Sequence, residues 1–390
     1  MNLRKEYVTI FIILVTEVLG FSLILPFLPF YAQQFGATPL IIGLIAASFS
    51  FFQFWSAPVL GRLSDHYGRK PMLLLSQFST FVGFVILGFA NSLWMIFLSR
   101  IVDGLFGANY TIAQAYLSDI SSKRDRAKVF GLSGAAFGFG FLIGPGIGGY
   151  LSQFGFGVPS FMAAGVSLIT ILIVAFVLPE TIKRPKGLKF NGKMFHFGDF
   201  RDFFSKPKIS CKLWQWATFI LAHVIWVSMF ALYAEKQLGF GPVEIGYFMT
   251  YIGFISILLR GVALPKLIDR FGERRLSYVG FFSIIVAMVS SAFITTWQMA
   301  FVIVTLFPLG GGLLRPLILG EISRGVSPKK QGSVMGFANS LGSIAQIVGP
   351  LVGGFMINYF FPGSVGLLAA AVVSIGLFLM IKEDRGIASS

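Results

Sequence analysis

Cysteine, acid and charge of any kind are what this chain has least of. Its 390 residues include one cysteine, three histidines and 16 Asp and Glu. A lone thiol, Cys211, excludes a disulfide frame and a thiolate metal site, so no metal is expected. Charged residues make up 12% of the chain, well below the roughly 25% usual in soluble domains. No Gly-x-x-x-x-Gly-Lys-Ser/Thr phosphate loop and no nucleophile-base set occurs, which argues against an ATP-driven machine, a membrane enzyme and a cofactor. What fills the chain instead is apolar: 55% hydrophobic residues, 45 Phe and a mean hydropathy of +0.80. It belongs in a lipid bilayer.

The net charge of +15 and a pI near 10.0 raise the question of a nucleic-acid partner, which the location of the cations decides. Apolar runs suited to a hydrocarbon core of roughly 30 Å occupy 7–30, 41–60, 72–90, 93–117, 129–151 and 158–178, then 214–234, 246–264, 276–294, 298–320, 333–356 and 363–381. In this division 27 of the 31 Lys and Arg fall on one side and Lys236 alone on the other, while Arg100, Arg260 and Arg315 lie inside apolar runs. The asymmetry places both termini and the central loop in the cytoplasm, with no nucleic acid required. The first run continues past Met1 to Lys5 as far as Tyr31 through Glu17, Pro26 and Pro29, a retained span rather than a signal peptide. The expected fold is an all-α membrane protein: twelve transmembrane helices in two six-helix halves with pseudo-two-fold symmetry, 1–178 and 213–390. The halves are joined by a cytoplasmic linker, 179–212, with room for an amphipathic surface helix.

The loop Gly61-Arg62-Leu63-Ser64-Asp65-His66-Tyr67-Gly68-Arg69-Lys70-Pro71 is the densest charge in the first ninety residues, and a weaker copy, Pro265 to Arg275, follows about 204 residues later. The chain is therefore a duplication. Gly61 permits close approach of helix ends, Gly68 a turn, and Asp65 suits the positive end of another helix. A plain basic loop would explain the cations but not the spaced glycines and aspartate. Gly-x-Leu-x-Asp-x-x-Gly-Arg-Lys after the second of twelve hydrophobic segments resembles the signature loop of the major facilitator superfamily of secondary transporters. That resemblance implies a cytoplasmic gate of Gly61, Asp65, Gly68, Arg69 and Asp119, in which Asp119 exchanges charge with Arg69 and Asp65 meets the start of the eleventh span. Solvated surface ions are the alternative.

Glu17 sits mid-span, where an ionised side chain costs roughly 2.5 to 3.5 kcal/mol. Its Gly20, Pro26 and Pro29 context looks like the first helix of drug/proton antiporters, including tetracycline exporters, which implies a proton-carrying carboxyl; a carboxyl tied to an Arg is the alternative. Arg100, Asp103, Gly104 and Gly107 share one helical face, and Arg-x-x-x-Gly here resembles the superfamily's fourth-helix proton-coupling motif. If spans one, four, seven and ten line the pathway, Glu17, Arg100, Asp103, His223 and Arg315 fall on it and Arg260 does not. Gly140, Gly144, Pro145, Gly148 and Gly149 resemble the antiporter motif, with a copy 205 residues on that includes Gly342, Gly349 and Pro350. Close helix packing alone accounts for the same glycines. The resemblance implies a monomeric drug/proton antiporter of the cell (inner) membrane. Its partners would be a small molecule, protons and lipid, with the proton gradient as its energy source; a carrier of a native metabolite, such as a sugar or organic anion, is the rival.

Overall fold

The computed structural model describes residues 3–121, 126–182, 207–327 and 330–388, and among these every element is helical. In chain order the helices are α1 (Leu3–Ile24), α2 (Leu28–Gln33), α3 (Pro39–Tyr67), α4 (Arg69–Gly88), α5 (Leu93–Leu105), α6 (Asn109–Ile120), α7 (Arg126–Leu151) and α8 (Gly157–Phe176). After the linker come α9 (Pro207–Leu238), α10 (Pro242–Leu258), a π-helical turn (Leu259–Ala263), α11 (Leu264–Phe271), α12 (Glu273–Ser290), α13 (Trp297–Arg324), α14 (Gln331–Tyr359) and α15 (Ser364–Ala388). The surface helix expected in the linker falls outside the described residues.

These helices make twelve spans. Ten are long and apolar enough to cross a bilayer by length and composition alone. The other two are α12, whose first turn carries Glu273, Arg274 and Arg275, and the pair α5–α6. Span one is also in two pieces, because Pro26 lacks an N–H and restricts Leu25, so α1 stops at Ile24 and the chain restarts with Pro29 in the first turn of α2.

The break in span four departs from the continuous run expected over 93–117. Backbone groups freed inside a membrane need partners, and α3 and α4 supply them. Ser76 donates to the carbonyl of Phe106 and its Oγ accepts from the Ala108 N–H at 3.0 Å. Gln53 Nε2 donates to the Gly107 carbonyl at 3.0 Å, and Ser56 to that of Gly104 at 2.8 Å. Asn109 thereby becomes the first residue of a new helix.

By Cα packing the chain falls into two compact units, one of Met1–Ala37, Ser48–Met194 and Phe240–Gly253, the other of Thr38–Ala47, Phe195–Gly239 and Phe254–Ser390. The first has its core where Ile10, Ile13 and Leu14 of α1 meet Leu60, Leu73, Ile112 and Tyr116. Here α7 lies against α1 through its glycines. A Cβ on Gly140 would come within 2.6 Å of Val18 Cγ1, and those on Gly144 and Gly148 would strike Ser22 Oγ and the Leu23 carbonyl. On the opposite side of α7, Gly149 faces Pro242 and Gly246 at the start of α10.

The second unit repeats the arrangement: Gly349 and Gly353 of α14 face Val224 and Met229 of α9, and Gly354 faces Pro39 and Leu40 at the start of α3. Gly342, grouped with these glycines on sequence spacing, has no neighbour within 4 Å of an added Cβ and takes no part in the packing.

Candidate functional site

In the first unit the break in span four turns the start of α6 towards α1. Each oxygen of the Glu17 carboxylate is held by an amide: Asn109 Nδ2 donates to Oε1 at 2.9 Å and Gln77 Nε2 to Oε2 at 2.7 Å. The Asn109 amide also donates to Thr80 Oγ1 at 3.0 Å, and the Thr80 hydroxyl donates to Asp103 Oδ1 at 2.8 Å. Asp103 Oδ2 lies 3.5 Å from Arg100 Nη1, and the Arg100 guanidinium is over the ring of Phe84. A continuous chain therefore runs from Glu17 to Arg100 through two neutral side chains.

Ionised throughout, this chain holds two carboxylates against one guanidinium. One added proton would make it neutral, and in a low-dielectric interior that difference matters. Two of its atoms are buried without a hydrogen-bond partner, the acceptor Asn109 Oδ1 and the donor Arg100 Nη2. The expected pair Arg100 and Asp103 does form, whereas Glu17 is held by amides rather than by an arginine. Gln77, Thr80 and Asn109 were not singled out by the sequence, because their partnership depends on a helix break that apolar patterning does not show.

At the start of α4 lies the expected gate cluster. The buried Arg69 pairs with Asp65 at 2.6 Å through Nη2 and with Asp119 at 2.9 Å through Nε, and donates to Ser64 Oγ at 2.6 Å. Glu180, just beyond α8, caps α4: its carboxylate accepts from the backbone N–H of Arg69 at 2.9 Å and of Lys70 at 3.1 Å. An anion at a helix N-terminus is stabilised by the free N–H groups and the helix dipole. Gly68 has φ +110°, and a Cβ on it would collide with the Glu180 carboxylate, so both backbone and space require glycine. Gly61 is less demanding: its Cβ would meet Thr111 Cγ2 at an ordinary 3.5 Å.

Asp65 is 62% exposed and Arg69 keeps Asp119 and Ser64 without it. Asp65→Asn is therefore expected to change stability by less than about 1 kcal/mol while slowing turnover. Thermal unfolding measured beside transport separates the two, and a protein with undiminished turnover would remove Asp65 from the gate.

The second unit carries a counterpart richer than its loop sequence suggests. Arg274 pairs with Asp384 and donates to the Met380 carbonyl, and Tyr278 donates to Asp384. Lys212 Nζ bridges Glu321 at 2.5 Å and Glu383 at 2.9 Å. Arg274 stands 205 residues after Arg69 and Asp384 204 after Glu180, so the duplication extends to the acid that ends each half. Deeper in this unit His223 stacks on Phe307, with ring centroids 4.8 Å apart. Arg260, set apart by the expected pathway helices, is brought beside His223 and Arg315 by the π turn.

The fold agrees with the comparisons with known proteins. The model of the Major Facilitator Superfamily matches residues 10–350 and 266–387. The chain belongs to the major facilitator superfamily. It is 28% identical to the class B tetracycline resistance protein of Escherichia coli over 90% of this chain and 88% of that one. It is likewise 28% identical to multidrug resistance protein 2 of Bacillus subtilis (strain 168), over 99% and 98%. Among solved structures, the nucleoside transporter NupG superposes with a TM-score of 0.77 at 14% identity, covering 98% of this chain and 99% of that one. This superfamily member is a multi-pass membrane transporter of small molecules rather than an enzyme.

Proposed function

We propose that this superfamily member is a proton-coupled exporter of small hydrophobic or amphiphilic compounds, working by alternating access between six-helix halves 1–178 and 213–390. The observation that carries the reading is the amide-held Glu17 joined to Arg100 and Asp103. The names of the tetracycline and multidrug resistance relatives support export. The one-sided distribution of Lys and Arg supports cytoplasmic termini, and the exporter reading puts the protein in the cell (inner) membrane. The proton gradient takes the place of any cofactor, and the working unit is the monomer.

Proton coupling follows from hydrogen-bond chemistry. A carboxylate only accepts, and Asn109 and Gln77 meet it with donors. Once protonated, Glu17 must donate, and the Asn109 amide meets that need by turning its idle Oδ1 towards it. Thr80 Oγ1 then loses its donor from Asn109 and is left with an acceptor site for the unpartnered Arg100 Nη2, while its hydroxyl still donates to Asp103. The protonation state of Glu17 is thus felt at the arginine on span four through rearranged hydrogen bonds, with no proton transferred to it.

Asn109→Leu, which can neither donate nor accept, is expected to leave substrate binding intact but to uncouple it from pH. Uptake into inverted vesicles at several lumenal pH values checks this. Uptake that keeps the wild-type dependence on lumenal acid would show that Asn109 takes no part. The same vesicles, offered cationic, neutral and anionic amphiphiles, test the export reading: acid-inside uptake of at least one is expected, and none for any compound contradicts it.

A further inference from the structure

The two units differ in the sign of their interior charge. The helices described from residue 207 onward carry acids only towards their ends, at Glu235, Glu244, Asp269, Glu273, Glu321, Glu383 and Asp384, and Glu321 is occupied by Lys212. Their interiors hold His223 on α9, Arg260 in the π turn and Arg315 on α13. Arg315 is nine residues from the charged end of α13, roughly 13 Å along the helix and far inside the bilayer.

Two details show that these groups face one place. A Cβ on Gly311 would lie 3.5 Å from His223 Nδ1, and one on Gly312 would lie 3.8 Å from Arg260 Nε. A side chain at Gly311 would pack on the His223 ring, and one at Gly312 would strike Leu259 Cδ2 at 2.5 Å beside Arg260. Arg315 follows on the same helix at i+4 and i+3 from these glycines, hence on their face. His223 is fixed in plane by Phe307, yet its Nδ1 is buried without a hydrogen-bond partner. Arg315 and Arg260 both repel His223, and each other, which places the three within electrostatic reach. Interruptions of the α-helix by a π turn are frequent at functional sites, and ionisable groups at membrane depth are retained for a task.

We propose that His223, Arg260 and Arg315 form a subsite for the carboxylate of an amphiphilic aromatic acid. The proposal rests on the transporter reading and narrows its substrate class. Two planar guanidinium forks match a carboxylate in a way that ammonium groups do not, and the His223 N–H adds a third donor.

The test uses the full chain in nanodiscs, with 2-naphthoate as probe and 2-naphthamide as its neutral counterpart, binding being read from tryptophan fluorescence. Naphthoate is expected to bind at least about tenfold tighter than naphthamide. Arg260→Gln and Arg315→Gln should each remove most of that preference while leaving naphthamide binding within about twofold, and Arg315→Lys should not restore it. Gly311→Ala, a milder change that keeps both arginines and His223, should weaken naphthoate selectively by crowding the His223 ring. Equal binding of the two probes, absence of binding by either, or parallel loss of both in the arginine variants would overturn the proposal. Uptake of a lipophilic cation driven by acid-inside vesicles is measured separately. If it proceeds while naphthoate shows no preference, only the carboxylate subsite falls; if it and naphthoate uptake are both absent, the exporter reading falls.

Discussion

Glu17→Gln is expected to abolish transport driven by a pH gradient while leaving binding and exchange of substrate close to wild type. Gln is nearly the shape of a protonated Glu but cannot release a proton. It offers one acceptor and one donor, so it suits the Asn109 and Gln77 amides only if one of them turns, which is the arrangement assigned above to the protonated state. Substitution at this depth removes a charge and does not add one, so stability should hold or rise. A merely structural carboxyl would give the opposite pattern. Its loss would lower stability by about 1.5 to 3 kcal/mol, the worth of hydrogen bonds to a charged group, and would impair exchange and driven uptake alike. Measuring exchange and driven uptake on the same preparation distinguishes the two.

Gly148→Leu is expected to cost more than any surface change, in both folding and transport. Its side chain would start on the carbonyl of Leu23, a backbone atom that cannot turn aside, so α1 must move. Overpacking of this kind costs about 1 to 3 kcal/mol and sometimes more. Because α1 also carries Glu17, the displacement reaches the proposed proton site. Gly342→Leu is the matched control: it makes the same change on α14, where nothing lies within 4 Å. Thermal unfolding in detergent and transport rate should fall for Gly148→Leu and change little for Gly342→Leu. Equal tolerance of both would show that the face of α7 bearing Gly148 does not need to be bare.

The spans could be read from the sequence because hydrocarbon thickness sets their length and the cations mark one side. The duplication was visible too, in paired loops whose Gly68 and Gly272 both adopt positive φ. What apolar patterning cannot reveal is a helix that breaks inside an apolar run. Leu93 to Ile120 has no proline to mark Phe106–Ala108, and the break is stabilised by Ser76 and Gln53 on other helices. Asn109, Thr80 and Gln77 therefore read as ordinary polar residues until the fold brings them to Glu17. Glu180 and Asp384 escaped notice for a related reason: each lies far in sequence from the arginine cluster it completes. Spacing suggested that Gly342 belonged with Gly349, but one face of a helix can meet a neighbour at one turn and open space two turns away.

The central claim is that a proton on Glu17 is exchanged for substrate, and substrate-evoked proton movement measures this most directly. The reconstituted protein is given a substrate gradient and no initial pH gradient, and a lumenal pH dye is followed. The wild type is expected to move protons against the direction of substrate flow, and Glu17→Gln to exchange substrate with no pH change. Proton movement of equal size in both proteins would contradict the account.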